Sequence, residues 1–177
     1  MKNFTVRMLT RTALLLALCV GVQQFKNLSQ FITGPLVNAI LIIAALYVGF
    51  LGGAAVAILS PVFALLIAPS PILQAIPQMV ILIAAGNLVI VLLSWLFRRR
   101  LLPAGLIVGS GLKTLALWGG VQLVILPMFG GALKPPQVTA LSAAFSVNQL
   151  ITALIGSALA WLVWQRLKKT RDAQIMA

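Results

Sequence analysis

Acid is what this chain lacks. Its 177 residues hold thirteen lysines and arginines but a single carboxylate, Asp172, together with no histidine and one cysteine. Metal sites are built from clusters of those missing ligands, and general acid–base chemistry needs a positioned base. Both are set aside here, as is a relay of buried carboxylates, so neither an enzyme nor a bound metal or cofactor is expected. Cys19 has no partner for an intrachain disulfide; in an apolar helix it reads as a packing residue. Charge of either sign is scarce as well. Only 8% of the residues are charged and 62% are hydrophobic, where ordinary globular domains carry about 25% charged residues. The chain therefore reads as one integral membrane domain over 1–177, with no room for a separate soluble domain. The net charge of +12 does not point to nucleic acid, because the basic residues gather at the ends of apolar runs. Anionic headgroups and the positive-inside rule account for that placement.

The apolar runs predict six helices, at about 8–27, 35–50, 51–68, 75–97, 103–127 and 138–164. Pro35 and Pro103 suit the first turn of a helix, where a missing N–H costs nothing, and Pro135-Pro136 precede the sixth. Gly49, Gly52 and Gly53 separate the second run from the third. Pro61 and Pro77 fall inside or near helix starts, where kinks are expected. The first run reads as a retained helix rather than a signal peptide, since more spans follow it. Alternating strand patterning is absent, and only helices or closed barrels satisfy backbone polar groups in lipid. An all-α membrane protein, a six-transmembrane-helix bundle, is the expected fold. Lys2, Arg7, Arg11, Arg98, Arg99, Arg100, Arg166, Lys168, Lys169 and Arg171 all fall on one side of such a bundle, against Lys26 and Lys134 on the other. The positive-inside rule then makes both termini cytoplasmic and the chain a multi-pass membrane protein.

Lys113 breaks the pattern. It lies near the middle of the fifth run, roughly 15 Å deep in a hydrocarbon core about 30 Å thick, where a lysine costs about 2.5–3.5 kcal/mol. With no carboxylate in any span to offset it, Lys113 reads as a site awaiting a carboxylate, phosphate or carbonyl oxygen. Three structural readings stand beside that one: snorkelling to an interface, an uncharged amine, or bonds to backbone carbonyls freed near Gly109-Ser110-Gly111. The spans also contain Asn38, Gln78, Asn87, Gln122, Asn148 and Gln149. Amides suit a polar ligand, and they also hold helices together. Adjacent Asn148 and Gln149 point different ways, so one of them must leave the lipid face. Trp118, five residues past Lys113, is a stacking partner for a flat ring or a packing residue. The segment 26–34, with Asn27 and Gln30, is polar enough to cap a pocket from outside or to serve as a plain connection. Ala13, Ala17 and Gly21 form a small-residue stripe, as do Gly105 and Gly109; such stripes let helices approach closely.

Taken in order, these features resemble the S components of energy-coupling factor (ECF) transporters, small six-helix membrane proteins that capture vitamins and related micronutrients. The resemblance is carried by Ala13-x-x-x-Ala17, Thr33-Gly34-Pro35-Leu36-Val37-Asn38-Ala39, Gly52-Gly53 with Leu59-Ser60-Pro61, Ile83-Ala84-Ala85-Gly86-Asn87, Leu112-Lys113 and the run from Phe145 to Gly156. It implies a substrate held in the outer half beneath the loop joining helices one and two. It further implies that Ala13 and Ala17, extended by Gly21, dock onto a membrane T component coupled to two ATPase subunits. No phosphate-binding loop occurs in this chain, so ATP hydrolysis must come from those partners. Position suggests Lys113, Asn148, Gln149, Asn87 and Trp118 for the pocket, with Asn27 and Gln30 in its lid. A lone lysine favours an anionic or carbonyl-rich cargo and disfavours a cationic one. The competing expectations are a structural scaffold without a small-molecule ligand and a secondary transporter, which would show coupling groups or paired repeats.

Overall fold

The computed structural model describes residues 6–25, 29–67 and 69–176, with side chains through 169. Among them the chain is helical and forms no strands. The helices are α1 (Val6–Gln23), α2 (Gln30–Ile43), α3 (Phe50–Ile67), α4 (Pro71–Ala75), α5 (Met79–Leu96), α6 (Leu102–Gly120), α7 (Leu126–Phe129), α8 (Pro135–Ala144) and α9 (Val147–Met176). Wide π-type turns extend α2 through Ala44–Val48 and link α6 to α7 through Val121–Ile125. Six helical segments are long and apolar enough to cross a membrane: Val6–Gln23, Gln30–Val48, Phe50–Ile67, Met79–Leu96, Leu102–Ala132 and Pro135–Lys169. Large apolar side chains such as Leu14, Leu66, Ile81 and Leu123 are exposed on the outside of the bundle, an arrangement that water would not tolerate over so large a surface and lipid does.

The breaks between helices have local causes. Gly49 carries φ +111°, the only positive φ among the described residues, and a residue without Cβ takes that conformation at little cost; the chain turns there from α2 into α3. Pro77 disfavours helical backbone at the preceding residue, and Ile76 is held at φ −133°, ψ 81°, which separates α4 from α5. Between α8 and α9 the Ser146 hydroxyl donates to the Ala143 carbonyl at 2.8 Å, a local bond that competes with helix continuation. These breaks shift the expected boundaries. The fourth span starts at Met79 rather than 75, and the expected sixth helix is two helices. The second begins at Gln30, so Pro35 sits inside it rather than at its start. Ser29 is extended (φ −165°, ψ 123°) and its carbonyl accepts from Thr33 N–H at 3.1 Å, which opens the helix earlier than the proline would.

Two apolar cores lie at opposite ends of the bundle. One gathers Ile40, Leu41, Ile42, Val56, Ile90 and Val91 from α2, α3 and α5. The other gathers Leu73, Ile76, Met79, Val121, Ile125 and Leu141. Helices α2 and α9 meet most closely at Gly156, where a Cβ would lie 2.5 Å from the Pro35 carbonyl oxygen and 2.6 Å from Asn38 Cβ. That contact presses Asn38 into the space between the two cores, where the buried polar residues collect.

Candidate functional site

The polar centre of the bundle begins with Pro61. In a regular helix its N–H would bond the carbonyl of Ala57, four residues earlier; proline has none to give. The freed Ala57 carbonyl accepts instead from Asn87 Nδ2 of α5, at 3.3 Å. This bond orients the Asn87 amide, so its Oδ1 turns toward α6 and accepts from Lys113 Nζ at 2.8 Å. Asn38 of α2 supplies a second acceptor, its Oδ1 lying 2.5 Å from the same nitrogen. A lysine only donates, so both amide oxygens must face it, and the network fixes both orientations. Lys113 is 3% exposed, Asn38 2% and Asn87 3%. Three helices are thus tied at one point by an amine and two amide dipoles. Lys113 neither snorkels nor reaches a backbone carbonyl at a helix break: its partners are side chains.

This cluster floors a cavity of about 180 Å³ lined by residues of α1, α2, α3, α4, α5, α6 and the α8–α9 junction. A second cavity of about 250 Å³ adjoins it and shares Gln30, Thr33, Leu73, Ile83 and Phe145 with it. The walls are apolar, with Val37, Ala64, Leu117 and Phe145 among them. Among the described residues one buried side-chain polar atom on this lining makes no hydrogen bond. Ser60 is fully buried and its Oγ makes no hydrogen bond, although the Cys19 thiol lies alongside it. Gln149 is 9% exposed; its backbone is engaged in α9 while its side-chain amide lines the cavity. When protonated, Lys113 carries a third N–H beyond its two bonds. Buried polar atoms are normally satisfied, so the Ser60 hydroxyl, facing a void that Lys113 and Gln149 also line, marks a place for a ligand or ordered water.

The structure brings together Lys113, Asn87, Gln149 and Gln30 from the residues expected at the site. Gln30 also donates through Nε2 to the Ala144 carbonyl at 3.1 Å, linking the start of α2 to the end of α8. Asn148 and Trp118 lie apart from this group. Asn148 is half-buried and lines neither cavity, because Gln149 takes the inward direction and its neighbour is turned about 100° away on the helix. Trp118 is 46% exposed on the outside of α6; Leu117 faces inward in its place. Asn27 lies outside the described residues. The polar loop expected over 26–34 is instead helical from Gln30 onward, so α4 and the α8–α9 junction contribute to the cover. Asn38, expected only among the intramembrane amides, lines the pocket, as do Ser60, Thr33 and Phe145, which stand in the motifs of the resemblance without a pocket role.

Ala13, Ala17 and Gly21 are exposed on α1, and a Cβ at Gly21 would meet nothing within 4 Å. The stripe therefore plays no part in packing inside the bundle. Among the described residues no group of three His, Cys, Asp or Glu side chains lies close enough to hold a metal ion. No family model, curated protein or solved structure matches this chain.

Proposed function

We propose that this chain is the substrate-capturing subunit of an energy-coupling factor importer in a prokaryotic plasma membrane. It would bind an anionic or carbonyl-rich vitamin or related micronutrient in a cavity open to the outside. Transfer inward would pass through a membrane T component driven by two separate ATPase subunits. The observation that carries this reading is Lys113, held between Asn38 and Asn87 at the floor of a cavity beside the unpartnered Ser60 hydroxyl and the Gln149 side chain. That floor presents donors: the remaining Lys113 N–H, the Ser60 hydroxyl and the Gln149 amide, which also accepts. A carboxylate or a pair of carbonyl oxygens satisfies such a set, and an apolar body fits the walls above. The concentration of basic residues at the opposite end supports both termini in the cytoplasm, which turns the cavity outward. The outward-facing stripe of Ala13, Ala17 and Gly21 supports close docking of a partner helix.

The test is native mass spectrometry of the purified chain, with small molecules released and identified, followed by a thermal-shift panel of vitamins. The expected result is one stoichiometric anionic or carbonyl-rich ligand, lost in Lys113→Ala. A chain that is empty and unresponsive to the panel would move the assignment to a membrane scaffold without a small-molecule ligand.

A further inference from the structure

At the end of the bundle away from the Lys113 cavity, α5, α6 and α9 surround a larger concavity of about 580 Å³. Arg98, Arg99, Arg100, Lys168 and Lys169 line it, with Trp161 on its wall. Arg98 stacks over the Trp95 ring at 4.8 Å; Arg99, Arg100, Lys168 and Lys169 are exposed. Five cations around one hollow repel each other, and the chain has only one carboxylate side chain to set against all thirteen of its basic residues. The hollow therefore calls for an anion from elsewhere. Topology anchoring alone needs basic residues near the boundary; it does not need them to line a common cavity.

A second feature says what kind of anion. The cationic hollow shares Pro103 and Trp161 with a groove of about 160 Å³ between α6 and α9. Leu106, Ile107, Leu154 and Ala158 line that groove. Its one hydroxyl, on Ser157, is engaged with Ser110 at 2.9 Å, so the channel offers an apolar surface running from the charged hollow into the membrane-spanning part of the bundle. A cationic hollow roomy enough for a lipid headgroup and continuous with an apolar trough matches an amphiphile with an anionic head and an alkyl tail.

We propose that this paired site binds one anionic phospholipid, its phosphate among Arg98–Arg100 and Lys168–Lys169 and one acyl chain in the α6–α9 groove. Anionic lipids attract basic segments at the membrane surface; here the fold adds a shaped seat for one molecule. The inference does not depend on what the Lys113 cavity holds.

The full chain in mild detergent is titrated with phosphatidylglycerol, with phosphatidylcholine of the same acyl chains, and with inorganic phosphate, and adducts are counted by native mass spectrometry. One phosphatidylglycerol per chain is expected, bound at least about tenfold more tightly than phosphatidylcholine, with inorganic phosphate a poor competitor. Each basic residue near the headgroup is worth about fivefold, so Arg99→Gln with Lys168→Gln weakens phosphatidylglycerol binding by about twentyfold or more. Ala158→Phe, at an exposed groove position, also weakens it. An unchanged thermal transition of lipid-free protein separates loss of the site from loss of the fold, and Arg100→Gln with Lys169→Gln replaces the first pair should that pair unfold. Equal binding of the two lipids overturns the proposal. So does phosphate competing as well as lipid with Ala158→Phe silent, which would mean a headgroup-only anion site. Absence of any phosphatidylglycerol adduct overturns it as well and turns attention to an acidic protein partner.

Discussion

Replacing Lys113 with methionine separates a binding lysine from a structural one. At membrane depth the amine costs about 2.5–3.5 kcal/mol, and methionine of similar length removes that cost. It also strands the Asn38 and Asn87 oxygens that now accept from Nζ, at about 1–3 kcal/mol each when no other donor reaches them. The adjoining cavity gives water access to both, which lowers that penalty. The opposing effects leave the empty Lys113→Met protein within roughly 0–2 kcal/mol of the parent. Asn87→Leu behaves differently: it keeps the amine, removes one of its two acceptors and frees the Ala57 carbonyl, a loss of about 1.5–3 kcal/mol for the hydrogen bond to a charged group, with the unpaired carbonyl adding to it. The double variant should then be more stable than Asn87→Leu alone. Ligand binding reverses the order of severity. Lys113→Met forfeits a hydrogen bond to a charged group, about 1.5–3 kcal/mol, or roughly ten- to a hundredfold in Kd. Thermal unfolding of ligand-free protein in detergent reads the first quantity, and retention of the co-purified small molecule by native mass spectrometry reads the second. A Lys113→Met protein that unfolds as early as Asn87→Leu yet keeps its ligand would refute the reasoning and make Lys113 a helix fastener.

Pro61→Ala restores an N–H to the Ala57 carbonyl and removes the reason Asn87 points where it does; α3 should gain stability while ligand affinity falls by about two- to tenfold, the value of one hydrogen bond, read by denaturation and ligand competition together. Ser60→Ala deletes a buried hydroxyl with no hydrogen bond and should stabilise the empty protein by about 1–3 kcal/mol while weakening ligand retention; a destabilised empty variant would show that the hydroxyl is already satisfied. Trp118→Phe, on the outside of α6, should change stability by no more than about 0.5 kcal/mol and leave ligand affinity unaltered in the same titration. Ala17→Leu, on the exposed stripe, should leave the isolated chain's melting unchanged but abolish co-purification of the proposed T component and ATPases; intact co-purification would remove that face from the proposed docking surface.

The spans were legible in the sequence because lipid imposes one demand, long apolar helices, that composition alone reveals. The site was only half legible, and the reason lies in the helix starts. Counted from its observed start at Gln30, Asn38 lies eight residues into α2; counted from Met79, Asn87 lies eight residues into α5. At 1.5 Å per residue these two amides sit at the same depth on helices that begin at the same end, which is why one lysine can reach both. Starts at 35 and 75 put the same residues three and twelve positions in, and the match disappears. Pro35 encouraged the first error, since a proline at a helix start is a preference that the extended Ser29 overrides. Pro77 and Ser146 break helices through local backbone chemistry, which a hydropathy window averages away. Trp118 was misassigned by reach alone: five residues from Lys113 is well over a full turn, and the inward direction belongs to Leu117.

The scarcity of acid bears on how the cavity can work. A buried lysine facing a carboxylate of its own chain is a closed pair, and an incoming anion would have to displace a full charge. Asn38 and Asn87 offer dipoles instead, enough to hold Nζ in place but weaker partners than a carboxylate, since an amide oxygen carries a partial charge where a carboxylate carries a full one. The lysine is thus positioned in the empty protein and still able to gain by meeting an anion. The same arrangement discriminates by sign: two unit charges about 4 Å apart interact by about 4 kcal/mol at an effective dielectric of 20, attractive for a carboxylate and repulsive for a cation. Placing a carboxylate on the floor, as in Asn38→Asp, should therefore lower affinity for an anionic ligand sharply while stabilising the empty protein, because the lysine charge would be neutralised from within.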